Sequence, residues 1–288
     1  MYGNTLLLSL VLIARTAFSS PIQRSFATPP FDVAGKLSYT GFTGPLGWTG
    51  LSPQNTECST SSFQSPINLD RYINSPATNP HVLIPDVEHA EFENLGSTVE
   101  VTVNGTTIFN NRRFNLLQFH FHTPSEHRIN EEYYPLEAHF VHKADDGTTL
   151  VLGVLFELTS NGNTTQLLTA VTKNIDEISE PGSSTETGPL RFSPLIAHFQ
   201  RTPLFYYIGS LTTPPCTSGV IWLVSKEPLP LDVGTYLALK KVMKFNSRYT
   251  QNTPGYMNLI MVAASQLSRR RLWTLLSSVF TLTRSLEV

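Results

Sequence analysis

The stretch Leu116-Leu117-Gln118-Phe119-His120-Phe121-His122 constrains this chain more than any other, because polar and aromatic residues alternate in it from Gln118 onward. A period of two reads as a β-strand, in which residues i and i+2 point to the same face. Gln118, His120 and His122 then share one face, and Phe119 and Phe121 the other. A second alternating run, Glu137-Ala138-His139-Phe140-Val141-His142, follows after a strand-length return. Paired antiparallel with the first, it brings His139 alongside His120 and His122. Three neutral imidazoles converging from two strands fit a tetrahedral zinc site whose fourth corner stays free, as a catalytic zinc requires. A lone buried histidine is more often a hydrogen-bonded core residue. The i, i+2 pair, joined by a third histidine with Glu137 two residues before it, favours metal.

The 288 residues are enough to bury a large core as one β-rich domain. A net charge of −2 gives no electrostatic case for nucleic acid or for an anionic membrane. Charged residues make up 15%, with 20 Pro and 17 Gly, which excludes a disordered or coiled-coil chain.

The apolar run 6–14, followed by small residues at 17–20, reads as a secretory signal over residues 1–20, although no Lys or Arg precedes it. A short membrane anchor is the alternative, and the run is brief for a span. Residues 21–36 read as a linker or propeptide, 37–262 as the domain and 263–288 as a C-terminal extension. That extension is either unpacked or, through Arg269-Arg270-Arg271 and the apolar residues after it, a weaker candidate for membrane contact. Cys58 and Cys216 are the only two cysteines, so their pairing is unambiguous if they bond, as export favours. Such a bond closes a loop of about 160 residues, for which the chain-entropy model gives about 4–5 kcal/mol. Asn104 and Asn163 head N-glycosylation sequons.

Strands are expected at 99–103, 150–156, 204–208 and 220–224, and helices at 164–171 and 231–245. Asn104-Gly105 reads as a hairpin turn. These patterns predict a single α+β domain on a mixed or antiparallel sheet with small peripheral helices.

Five motifs carry a family resemblance: Gln64-Ser65-Pro66-Ile67-Asn68, the run 118–122, Ser125-Glu126-His127, the run 137–142, and Ser210-Leu211-Thr212-Thr213-Pro214-Pro215-Cys216. In that order they resemble the α-class carbonic anhydrases in their short secreted form, over about residues 37–260. The resemblance implies a large twisted, mainly antiparallel sheet with zinc in a central conical cleft, and reversible hydration of carbon dioxide to bicarbonate and a proton. It implies His120, His122 and His139 as zinc ligands. Zinc held by neutral histidines keeps its double charge and acidifies a bound water to about 7, a property for which carbonic anhydrase is itself the type case.

Around the metal, Gln118 and Glu137 are expected to fix the tautomers of His120 and His139. By the resemblance, the Asn246 backbone contacts His122, Thr212 hands its hydroxyl proton to Glu126, and Thr213 lines the bicarbonate site. Leu211, Val141, Val151, Val220 and Trp222 would form the apolar substrate wall, Tyr39 would order cleft water, and His127 and Tyr207 would support the ligands. Sulfonamides and anions are the expected inhibitors, and a monomer or homodimer the expected assembly. One departure matters: Ser97 stands where fast relatives carry a proton-shuttling histidine, so proton release is expected to depend on buffer. His81 and His89 lie upstream and read as surface residues. Two rival readings remain, a non-catalytic binding relative and a zinc hydrolase of another class. The intact histidine set opposes the first, and the lack of a His-Glu-x-x-His helix opposes the second.

Overall fold

The computed structural model describes residues 37–268. The expected signal, the linker up to residue 36 and the arginine-led tail from 269 lie outside the described residues. In chain order the strands are β1 (Asn68–Leu69), β2 (His81–Leu83), β3 (Glu91–Asn94), β4 (Val99–Phe109), β5 (Arg112–His122), β6 (Arg128–Ile129) and β7 (Glu132–Tyr133). They continue as β8 (Leu136–Lys143), β9 (Thr149–Leu158), β10 (Ser184–Glu186), β11 (Leu204–Ser210), β12 (Ser218–Ser225) and β13 (Leu229–Leu231). The α-helices are α1 (Trp48–Leu51), α2 (Glu57–Thr60), α3 (Gln166–Val171), α4 (Ser193–Arg201) and α5 (Val233–Met243). Residues 259–268 are also helical and run past the expected domain boundary at 262.

Ten strands form one sheet in the order β10-β3-β4-β5-β8-β9-β12-β11, with β13 beside β9 and β2 beside β4. Pairing is antiparallel except where β12 and β13 run parallel to β9, so the sheet is mixed, as expected. A small second sheet orders β1-β6-β7. The helix expected at 231–245 is α5, started by Asp232, whose side chain accepts from the Thr235 N–H at 2.9 Å. The helix α4 was not foreseen.

Each central strand has two unlike faces. On one, Val99, Val101, Phe119, Phe121, Ala138, Phe140, Leu152 and Val154 are buried with Leu168, Leu195 and Leu239 of the helices. Phe119 stacks on Phe140 at 4.9 Å and meets Phe121 edge-on at 5.7 Å. The other face carries the polar residues of β5 and β8 and a second apolar cluster that includes Val151, Val220 and Trp222. β9 is buried on both faces, as its continuous apolar run requires.

Asn104-Gly105 is not a turn. Both lie inside β4, where the register to β5 shifts between Thr102 and Gly105. A Cβ on Gly105 would stand 3.0 Å from Ile84 and 3.3 Å from Leu116, so glycine serves close packing there. The hairpin turns instead at Asn110 and Asn111, with φ of 50° and 59°, the left-handed pair a tight hairpin needs. A second irregularity, between Leu116 and Gln118, lets both Leu116 and Phe119 face the core while His120 and His122 keep the opposite face.

Candidate metal centre

β5 and β8 pair so that His120 lies directly opposite His139, and His122 opposite Glu137. Residues paired this way share a face, so three imidazoles meet on one side of two strands. Their ring centroids are 5.1 Å (His120–His122), 5.3 Å (His120–His139) and 4.6 Å (His122–His139) apart. One nitrogen from each lies within 4.8 Å of the other two.

Each ring is pinned through its other nitrogen. His120 Nδ1 is 2.9 Å from Gln118 Oε1, His122 Nδ1 is 2.8 Å from the Asn246 carbonyl, and His139 Nε2 is 2.8 Å from Glu137 Oε1. All three partners are acceptors, so each pinned nitrogen carries the proton. The lone pairs left over belong to His120 Nε2, His122 Nε2 and His139 Nδ1. His122 is 1% exposed, and its Nε2 has no hydrogen-bond partner among the described residues. A buried, unpartnered lone pair is costly unless something coordinates it. The donor set therefore fits a zinc ion. Burial, then the charges of His122 and His139, holds His120 well below the usual imidazole range. Burial lowers His122 too, against the nearby Glu126 charge. Both rings stay neutral, as ligation demands.

Glu137 anchors a buried relay. Burial alone would raise its pKa; the His127 and His139 charges and hydrogen bonds outweigh that and hold it well below the usual carboxylate range. Its Oε1 also receives His127 Nδ1 at 2.6 Å, and its Oε2 accepts the Glu126 and His127 N–H groups at 2.8 Å each. His127 Nε2 lies 2.7 Å from the Tyr207 hydroxyl, which lies 2.8 Å from Ser65 Oγ. Burial pushes the Tyr207 hydroxyl well above its ordinary pKa, so it stays protonated. The trio His127, Glu137 and His139 is also close enough to hold a metal. Protons already fill its short contacts, so it is a hydrogen-bond chain.

Thr212 and Glu126 are both buried, but the expected hydrogen bond between them is not formed. Glu126 Oε1 accepts the Arg248 N–H at 2.9 Å, while Oε2 has no partner among the described residues and sits 4.0 Å from His139 Nδ1. The two residues are held separately. Thr212 sits in a loop tied by its neighbours, Leu211 N to Thr217 O at 3.0 Å and Cys216 N to Thr213 O at 2.9 Å.

The expected wall is brought together. Val141 lies opposite Val151, which lies opposite Trp222, and half-buried Val141 and Leu211 pack on the cluster containing Val220. The Trp222 ring stands 4.8 Å from His139, and its Nε1 donates to the Ser210 carbonyl at 3.0 Å. Thr213 is half-buried in the same loop. Tyr39 meets Trp48 edge-on at 5.8 Å, and burial, then the Glu126 charge, raises its pKa. Ser97, between β3 and β4, is half-buried, and its carbonyl accepts from Asn246 Nδ2 at 3.1 Å. His81 pairs with Ile108 near the far end of β4, and His89 is exposed beside Glu186 at 3.8 Å, so neither joins the site.

Sequence reasoning missed Arg248 and Glu100, and gave Ser65 a place in a motif but no role. Arg248 is fully buried, donates to the Ser65 and Cys58 carbonyls and to Gln64 Oε1, and is lowered to about 10 by burial. No periodic pattern surrounds it. Glu100 lies opposite His120 on the same face, half-buried, raised by burial and then by Glu93. The period of β4 would have revealed its face, but not its partner strand. Cys58 and Cys216 are bonded, with Cα atoms 5.0 Å apart beside Trp48.

Comparison with known proteins settles the family. The family model for eukaryotic-type carbonic anhydrase matches residues 43–270. The chain belongs to that family. A carbonic anhydrase of Neisseria gonorrhoeae is 33% identical over 76% of this chain and 82% of its own. The solved fungal α-carbonic anhydrase from Aspergillus oryzae superposes with a TM-score of 0.78 at 45% identity, covering 80% of this chain and 99% of that one. An α-carbonic anhydrase from Thermovibrio ammonificans, solved with the inhibitor sulfanilamide, gives 0.68 at 35% identity, covering 77% and 98%. This carbonic anhydrase is accordingly a lyase, and the comparisons support hydration of carbon dioxide by a zinc enzyme.

Proposed function

We infer that zinc is held by His120, His122 and His139, and that the chain interconverts carbon dioxide and bicarbonate around it. When bound, zinc supplies Lewis acidity that brings a water into its nucleophilic form near neutral pH. The rest falls to the chain. Gln118, the Asn246 carbonyl and Glu137 keep each imidazole in the tautomer that presents a lone pair. Glu137 does so while ionised, which makes His139 the more electron-rich donor.

Val141, Val151, Leu211, Val220 and Trp222 hold an uncharged linear substrate and exclude water. Glu126 Oε2, buried and unpartnered, is an acceptor in want of a hydroxyl. Thr212 would supply it on a side-chain rotation, and its own oxygen would then accept a hydrogen bond from the attacking group, with no proton transferred. Thr213 meets the bicarbonate product. Tyr39, kept protonated by burial, orders water at the cleft. Ser97 takes no proton at neutral pH, so protons leave to buffer. Sulfonamides and small anions would compete for the open fourth position of a zinc held by the three histidines.

The supporting observation is three rings each pinned at one nitrogen, with the other nitrogens gathered and one of them orphaned in the interior. Zinc content measured beside hydratase activity tests it. One zinc per chain with activity is expected, both lost together in His139→Ala. An active protein free of zinc would overturn the reading.

The disulfide suits an oxidising compartment, and no helix among the described residues is long and apolar enough to cross a membrane. Secretion is the reading they support. Asn104 and Asn163 are both exposed and open to glycosylation.

A further inference from the structure

The outward stripe of α5 differs from an ordinary water-facing helix surface. Helical spacing places Val233, Leu237, Lys240, Lys241 and Lys244 on one face, away from buried Leu239 and Met243. Val233 and Leu237 are 51% and 53% exposed, the other three positions are all lysine, and no acidic residue lies on the stripe. The chain leaves α5 through Lys244, in the left-handed region at φ 58°, and then presents Phe245, 53% exposed. Leu237, the three lysines and Phe245 line one shallow groove. Phe245 also borders the hollow lined by Leu46 and Tyr133, so apolar surface continues past the helix.

The lysines are available. Lys240 rests over the Tyr236 ring at 5.4 Å, which leaves it a cation. Lys241 meets Asp176 at 3.3 Å, but both side chains are mostly exposed, and such pairs are weak. Neither contact involves Lys244.

We propose that this face docks the protein on an anionic phospholipid surface. Val233, Leu237 and Phe245 enter the boundary between headgroups and acyl chains, and the lysines meet the lipid anions. Charge complementarity selects an anionic partner. Aliphatic and aromatic side chains standing free between the lysines select a bilayer, which offers hydrocarbon just beneath its charge. A net charge of −2 conceals the patch because the acidic residues, apart from Asp232 at the start of α5 and Asp176 beside Lys241, lie elsewhere on the chain. The proposal does not depend on the hydratase chemistry, and α5 carries it without the arginine-led tail.

Co-sedimentation of the full chain with vesicles tests it, using phosphatidylcholine alone and phosphatidylcholine with a third replaced by phosphatidylserine. Binding is expected only to the second, and it weakens with salt. Lys240→Gln/Lys241→Gln/Lys244→Gln should lower the partition coefficient at least about tenfold, since each cation near an anionic surface contributes several-fold. Leu237→Ser should lower it by about threefold, in line with losing one partly inserted aliphatic group. Both variants should keep the wild-type circular dichroism, melting temperature and hydratase activity. Arg269→Gln/Arg270→Gln/Arg271→Gln should still bind. Failure of the wild type to bind, equal binding to both vesicles, or loss only in the arginine variant would overturn the proposal. Undiminished binding by Leu237→Ser would also overturn it, and would reassign the groove to a soluble acidic partner.

Discussion

β5 and β8 carry two opposite solutions to burial on the two faces of the same residues. On the core face, Phe119, Phe121 and Phe140 satisfy one another by shape. On the cleft face, His122, Glu137 and His139 are equally hidden, yet each polar atom must be matched by a named partner. Packing tolerates approximate neighbours at a cost in stability, whereas a buried hydrogen-bond chain with one member missing leaves the others unsatisfied. The core face should therefore answer mutation in stability and the cleft face in metal affinity and turnover.

The largest effect expected is on the core face. Phe119→Ala deletes a ring stacked on Phe140 and edge-on to Phe121 and Phe192. It should cost about 3–5 kcal/mol in urea unfolding, with zinc content per folded molecule unchanged. Loss of zinc at unchanged stability would break the division of labour.

His142 is the residue that tests the division from the other side. It lies three positions after His139, an odd offset, and so turns into the apolar face. There its Nε2 meets Thr107 Oγ1 at 2.9 Å and its Nδ1 the Phe140 carbonyl at 2.9 Å. Burial depresses its pKa to about 4, against an ordinary value of about 6.5. Below about 6.5 the unfolded chain takes up a proton at this ring while the folded one does not. Stability is thus fully present above pH 6.5 and falls as pH drops towards 4, by about 3 kcal/mol in all. His142→Leu should remove that slope, leaving the Thr107 hydroxyl without its partner at every pH. Unfolding titrations at a series of pH values would show it, and an identical slope in the variant would assign the acid sensitivity elsewhere.

A smaller effect should appear where Gln118 holds His120. Gln118→Ala leaves the fold intact, since Gln118 is half-buried, but frees the His120 ring to turn. Loss of such an orienting partner typically lowers metal affinity ten- to a hundredfold, and competition with a chelator would read it. Unchanged affinity would mean that strand geometry alone aims the ring.

What could be read in the sequence follows from the same two faces. The parity of His120, His122 and His139 was legible because a strand converts sequence spacing into direction, and Gln118 and Glu137 came with it. Asn104-Gly105 misled because its local turn chemistry lost to pairing along the whole of β4, where Gly105 is wanted for its missing Cβ. Arg248, and the contacts Ser65 makes from within its motif, were illegible for another reason. The two residues meet only through contacts such as Arg248 Nη1 to the Ser65 carbonyl, across a sequence separation of 183, and no local pattern announces such a bond. The Thr212–Glu126 contact, expected from family likeness, is not formed, and the side-chain direction of a loop residue is something neither periodicity nor propensity determines.

The smallest effect sharpens the account of the cleft face. Most polar groups close to the three rings are committed: Gln118 and Glu137 to histidines, His127 to Glu137 and Tyr207. Glu126 Oε2 is unpartnered but buried, and no imidazole of the site is free to carry a proton outward at neutral pH. Ser97 is half-buried and tied by its carbonyl to the Asn246 side-chain amide, while the Asn246 backbone carbonyl holds His122. Its side chain can change without disturbing either bond. Ser97→His places a group that titrates near neutrality where none stands. Turnover should rise by a few-fold at low buffer and converge with wild type at high imidazole, since added imidazole does externally what the new side chain does internally. Stopped-flow rates against buffer concentration test both curves. A flat wild-type curve would show that proton exit already has an internal acceptor, and Glu100, opposite His120 with its carboxyl raised by burial, is the group to replace next.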